Sequence, residues 1–210
     1  MKTVIQIILV VVAITLGFLT FKSVQKPIDF EKAKNQRFQA TINRLMDIRK
    51  AQNAFKEVNG RYTASWDTLI DFVKNGSVKV VKKIGMLTDS MIEAGINEKK
   101  AIQMGLIIRD TTRESVLTTV FAQGFKPENL KVVPVADTVA YFSLAATVLT
   151  TGSGIKVPVF EAKVHNNVVL RKLDRQLVIN LNDLRRTQEK YPGLMVGSLL
   201  EANNGAGNWE

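Results

Sequence analysis

Residues 4–21 (VIQIILVVVAITLGFLTF) form an uncharged apolar run interrupted only by Gln6, Thr15 and Thr20. Bilayer hydrocarbon is about 30 Å thick and a helix rises about 1.5 Å per residue, so such a run sits at the short end of a spanning helix. It reads as an uncleaved membrane anchor, with Val4, Ile8, Val11, Ile14, Phe18 and Phe21 among its lipid-facing positions. The competing reading is a cleaved signal peptide begun by Lys2, but Phe21-Lys22-Ser23-Val24-Gln25 offers no Ala-x-Ala site after the run. A core helix is disfavoured because the run has no polar face.

Beyond Pro27 the pattern becomes helical. Phe38, Ile42, Leu45, Ile48, Phe55 and Val58 recur at steps of three, four or seven, while Asn35, Gln36, Arg37, Asn43, Arg44, Arg49, Lys50 and Gln52 occupy other positions. Asn59-Gly60 is a helix stop that suits a left-handed residue. Residues 1–27 are thus expected to be anchor and juxtamembrane segment and 28–60 a stalk helix, the rod kinked or interrupted at Pro27. The seam Phe38, Ile42, Leu45, Ile48 and Phe55 can be covered by the protein's own head or by neighbouring chains, self-association included.

Residues 61–210 read as a globular head. Ser65 is an N-cap for a short helix carrying Trp66, Leu69, Ile70, Phe72 and Val73, which Asn75-Gly76 stops. Asp67 and Asp71 belong to its solvated face. Residues 77–84 (SVKVVKKI) alternate as a strand with a basic face. From residue 88 to 121 a helical, more polar stretch is expected, with a helix, Gly95 turn and second helix capped by Asn97 in a helix-turn-helix rhythm. The cluster Arg109-Asp110-Thr111-Thr112-Arg113-Glu114 suggests a salt-bridged turn, in which Arg109 and Arg113 are also candidates for an anion clamp.

Three strand-like runs follow, at 130–135, 139–149 and 155–164, the last two joined as a hairpin by Thr151-Gly152-Ser153-Gly154. Phe160, Ala162 and Val164 alternate with Glu161, Lys163 and His165, which predicts an antiparallel sheet with one wet face. A helix carrying Leu170, Leu173, Leu177, Leu181 and Leu184 runs to the Tyr191-Pro192-Gly193 stop, and Arg171, Lys172, Arg175, Arg185 and Arg186 form its basic ridge. That ridge is a solvated face or a contact for acidic partners or lipid headgroups. The Asn/Gly-rich tail ends on Trp209-Glu210, and Trp209 is expected to dock on the head. The fold class is therefore α+β, a mixed head on a transmembrane and stalk helix.

Composition then removes chemistries. The 210 residues hold no cysteine and one histidine, which excludes disulfides, thiolate nucleophiles and multi-histidine metal sites. No nucleophile elbow, Walker loop or dinucleotide glycine pattern is present, His165 lacks a catalytic partner, and no cofactor, metal or small-molecule substrate is implied. The expectation is a protein that is not an enzyme. Lys plus Arg number 29 against 19 Asp plus Glu, for a net charge of +10, so nucleic-acid binding enters as an alternative. The second helix of the helix-turn-helix rhythm offers only Lys99, Lys100 and Gln103 to base edges, which weighs against direct DNA reading.

The run IRKAQNAFKEVNGRYTASWDTLIDFVKNG, residues 48–76, resembles the stalk end and first loop of type II secretion pseudopilins and related type IV pilin-like proteins. Ile48, Arg49, Ala51, Phe55, Asn59, Gly60, Arg61, Tyr62 and Thr63, followed by Leu69, occupy that pattern. The likeness covers the N-terminal third. It departs at the apolar run, which holds no glutamate at its fifth position and no Gly-Phe site ahead of it; Gly17-Phe18 lies at its far end. A calcium-binding C-terminal loop of the kind some pseudopilins have would find only Glu201, Glu210 and amide oxygens here. The resemblance implies an inner-membrane, single-pass protein with a periplasmic head, acting in secretion or surface assembly through protein contacts in the envelope. The cations near the run argue the other way: Lys2 precedes it and Lys22, Lys26, Lys32 and Lys34 follow, which favours a cytoplasmic head. The alternative is thus a membrane-tethered, cytoplasm-facing nucleic-acid or regulatory binder.

Overall fold

The computed structural model describes residues 2–134, 139–152 and 154–210, with the side chains of residues 2, 81–83 and 108–110 outside that description. Helix α1, Lys2–Asn59, is one unbroken element with Pro27 inside it, which corrects the expected interruption. Proline removes one N–H and crowds the carbonyl four residues earlier. Here that carbonyl belongs to Ser23 at an exposed turn, where no buried group is orphaned. Among the described residues α1 is the one helix long and apolar enough to cross a membrane. It ends where Gly60 turns left-handed at φ 71° and its N–H bonds the Lys56 carbonyl at 2.8 Å.

The head is mixed helix and antiparallel sheet. After α1 come α2 (Trp66–Asn75), β1 (Ser77–Ile84), α3 (Asp89–Glu93), α4 (Glu98–Gln103), β2 (Ile108–Ser115) and α5 (Val116–Val120). A 3₁₀ turn (Pro127–Lys131), β3 (Ser143–Thr150), β4 (Lys156–His165), α6 (Asn166–Val169), α7 (Arg175–Thr187) and β5 (Gly193–Gly197) complete it. Strands β3, β4 and β5 form one antiparallel sheet in that order, and β1 pairs with β2 alone, antiparallel.

The C-terminal half of α1 is the spine of this head. Leu45, Ile48, Ala51 and Phe55 are buried in a core shared with Leu69 and Val73 of α2, Phe160, Ala162 and Val164 of β4, and Leu194 and Val196 of β5. The polar positions of α1 tie the head on at three heights. Arg37 Nη1 donates to the Val169 and Arg171 carbonyls at 3.2 and 2.7 Å. Arg49 Nη1 donates to the Gly205 carbonyl and pairs with Glu210 at 2.6 Å. Gln52, fully buried, holds the loop after the helix, donating from Nε2 to the Thr63 carbonyl at 2.6 Å and accepting the Thr63 N–H at 3.1 Å.

Several local expectations change. Residues 130–134 are not a strand: Pro127 starts a 3₁₀ turn, Leu130 and Val133 are buried by packing, and only the single bridge Val132–Tyr141 follows; Val135 lies outside the described residues. The run from 139 enters the sheet only at Ser143. The polar cluster lies in strand β2 instead of a turn, its backbone paired antiparallel with β1 from Ile108 to Ser115. The leucine helix is two pieces. Leu170 closes α6, Lys172 sits at φ 65°, and the Asp174 carboxylate starts α7 by accepting the Gln176 and Leu177 amides. Strand β5 follows the Tyr191-Pro192-Gly193 stop, and the tail extends its pairing: Asn208 exchanges hydrogen bonds with Met195, and Trp209 packs against the core.

Replacing Gln52 by leucine keeps the volume and leaves the Thr63 N–H and carbonyl unpaired in a part-buried place. Such groups cost about 1–3 kcal/mol each. Gln52→Leu is expected to lower unfolding free energy by about 2–4 kcal/mol in urea titrations of the detergent-solubilised chain, with the denaturant slope unchanged.

Candidate functional site: the uncovered surfaces of the long helix and the head

The anchor positions Val4, Ile8, Val11, Ile14, Phe18 and Phe21 are all exposed, each more than half so. The exposure continues through Val24 and Ile28, and Phe30 is the first buried side chain of α1. The change from wholly uncovered to covered therefore occurs within about two turns of one continuous helix. The seam residues lie on the head side of that change: Leu45, Ile48 and Phe55 are buried in the head, and Phe38 and Ile42 are partly buried against the same core.

The five candidate arginines do not form one site. Arg113 lies on β2 directly opposite Lys79 of β1, and the two line a groove of about 280 Å³ with Glu57, Val58 and Ser77. The next pair in that register, Lys83 and Arg109, has side chains outside the described residues. Like charges facing across a strand pair, here the β1–β2 ribbon, repel, and Glu57 is the acidic residue lining the same groove. Arg175 starts α7, and Arg185 and Arg186 end it, about 15 Å away along the helix. Arg186 pairs with Asp183 at 3.0 Å on the exposed side.

Sequence reasoning missed the tip of the ribbon. Between β1 and β2 lie α3 and α4, where Ala101 and Ile107 are buried and Asn97 caps α4 by accepting the Lys100 N–H at 2.9 Å. Around that small core Ile84, Met86, Ile92, Ile102, Met104 and Leu106 are exposed, Met86 at 83%. The signal was present in the sequence as apolar residues with no strict period, which the helix-turn-helix rhythm obscured. Val78 and Val116, both buried, root the ribbon in the core near the end of α1.

His165 is a helix cap. Its Nδ1 accepts the Asn167 N–H at 3.1 Å, and its ring meets Tyr191 edge-on. Burial first, and the Arg186 charge second, hold its pKa below the usual histidine value. Among the described residues no group of three or more His, Cys, Asp or Glu is placed to hold a metal ion. No family model, curated protein or solved structure matches the chain.

A histidine with a depressed folded pKa is neutral in the fold and binds its proton more readily when unfolded. Its contribution is therefore fully present above the unfolded value, about 6.5, and is lost as pH falls through the lower folded one. Asp47, raised mainly by burial, slopes the opposite way. The variant His165→Asn keeps a capping acceptor without the titration. Between pH 7 and pH 5 the wild type is expected to lose more stability than His165→Asn, the difference between the two denaturation series isolating the histidine.

Proposed function

We propose that this chain is a membrane-anchored, pseudopilin-like assembly protein of the cell envelope, acting through protein contacts and not by catalysis. Residues 4–21 of α1 cross the inner membrane once, and the head stands in the periplasm. The observation that carries the reading is the uncovered apolar half of α1 continuing without a break into the spine of the head. Leaving that many large apolar side chains in water costs on the order of 20 kcal/mol or more, beyond the whole stability of a typical domain. Lipid removes the cost, and hydrogen bonds within the helix satisfy its backbone there.

The partner surface is the tip of the ribbon. From Phe21 to Val58 α1 extends about 55 Å, and the eight-residue strands β1 and β2 add reach of about 26 Å. Even folded straight back, the ribbon does not return to the bilayer that holds the anchor. Met86, Met104 and Ile92 suit an adaptable protein contact. The tip's three carboxylates, Asp89, Glu93 and Glu98, outnumber Lys99 and Lys100, which disfavours an anionic membrane as its target.

Single cysteines at Lys99 and Glu201, both exposed, report the topology in this cysteine-free chain. A membrane-impermeant thiol reagent is expected to label both in intact spheroplasts, with the protein resisting carbonate extraction. Protection of both until lysis would place the head in the cytoplasm, overturn the envelope reading, and direct attention to Lys79 and Arg113 as a nucleic-acid contact.

A further inference from the structure

We propose that the wedge between α1 and the first turn of α7 is a binding site for one anionic phospholipid headgroup, an inference that rests on α1 spanning the membrane. Leu19, Lys22, Ser23, Lys26 and Pro27 lie along one stripe of α1, spaced three, four, seven and eight residues from the first. Asp174, Gln176 and Leu177 face them from α7, and the groove between measures about 390 Å³. Its apolar wall, Leu19 and Leu177, continues the uncovered surface of the anchor, and Lys22 and Lys26 supply two ammonium groups on the side away from it.

Height along the helix places this wedge. The headgroup layer is about 5–7 Å thick on each side of the hydrocarbon. Residues 22–26, following the apolar run, occupy about 7 Å of helix axis. The two lysines therefore stand within the headgroup layer, and the Lys22 ammonium lies 5.2 Å over the Phe18 ring, turned back toward the anchor. A headgroup phosphate meets the ammonium groups while the upper acyl chain lies along Leu19. The α7 wall is held in place from above, because Arg37 fixes the Val169 and Arg171 carbonyls to α1 five and three residues ahead of Asp174.

One group opposes an anion here. The Asp174 carboxylate lines the wedge, and its Oδ1 accepts the Gln176 and Leu177 amides at 3.0 and 3.2 Å. Those bonds offset part of its charge, and asparagine at the same position keeps the cap without the charge. Replacement of Asp174 therefore separates a site built by both helices from lysines acting on α1 alone.

The test uses the full chain in mild detergent, titrated with phosphatidylglycerol or phosphatidylcholine and read by native mass spectrometry, with vesicle flotation in carbonate alongside. Retention of one phosphatidylglycerol is expected to exceed that of phosphatidylcholine about thirtyfold, the ratio that two lysines near an anionic surface supply. Lys22→Gln with Lys26→Gln brings the two lipids to parity, Lys99→Gln with Lys100→Gln at the distant tip leaves the preference intact, and Asp174→Asn raises it severalfold. Equal retention by the wild type, an unchanged preference in Asp174→Asn, or full displacement by inorganic phosphate alone overturns the proposal. Flotation with phosphatidylcholine vesicles in those cases leaves the spanning reading standing. A chain that does not float at all overturns both.

Discussion

Backbone hydrogen bonding within one continuous helix is the constraint on which the rest of this structure depends. An α-helix satisfies its own N–H and carbonyl groups whatever surrounds it, so one element can pass from an apolar medium into a protein core without a joint. Helix α1 is one such element, continuous over 58 residues, and its C-terminal part lies in the core of the head. Its side chains alone register the change: apolar on every face through Phe21, then apolar on one stripe that the head covers from Phe30 onward. Nothing else in the chain has to bridge the two environments.

The head is organised by what that helix leaves over. Its apolar stripe supplies the floor of the core, and its polar positions supply the clamps, with Arg37, Arg49 and Gln52 each bonding backbone groups from a different part of the head. Buried polar groups are costly unless paired, so these contacts fix the head's position along the helix as well as adding stability. A second polar layer lies behind the sheet. Asn166 Nδ2 donates to Asn182 Oδ1 at 3.0 Å, and Asn182 Nδ2 to Asn167 Oδ1 at 2.7 Å, which joins α6 to α7. The Asn166 side-chain oxygen Oδ1 has no partner among the described residues, a place suited to a bound water.

The sequence announced its large periodic features and concealed its small ones. The long apolar helix, the amphipathic stripe, the Ser65 cap and the β3–β4 pairing are long or chemically marked, and local patterns describe them. Of the kink or interruption expected at Pro27, the interruption is absent, because proline's cost depends on whether a buried carbonyl is orphaned, which a linear pattern does not contain. Residues 130–134 carry strand-like side chains yet meet no ladder beyond one bridge, since burial alone accounts for Leu130 and Val133. Gln52 and Arg37 looked like solvated positions of an amphipathic helix. Their roles come from Thr63, Val169 and Arg171, and for the arginine those partners lie more than a hundred residues away in the chain. Among the candidate sites, Arg113 and Arg175 were visible as charge, whereas their separation onto a ribbon and a helix is a property of the topology.

The absence of a hinge between the apolar run and the core has a mechanical consequence. A flexible linker lets a head sample a volume that grows with linker length, and the local concentration at any one height falls accordingly. Here the first buried side chain, Phe30, lies nine residues beyond Phe21 on the same helix, about 13 Å along its axis. On the spanning reading, tilt of the apolar run tilts the head built on the same helix, and with it the ribbon rooted at Val78 and Val116. If the apolar run is held in a bilayer, the ribbon tip is presented at a height set by helix length, with little conformational entropy left to lose on docking. Rigidity of this kind favours a partner whose own position relative to the membrane is fixed, since a match in height then replaces part of the contact area that a freely diffusing partner would require.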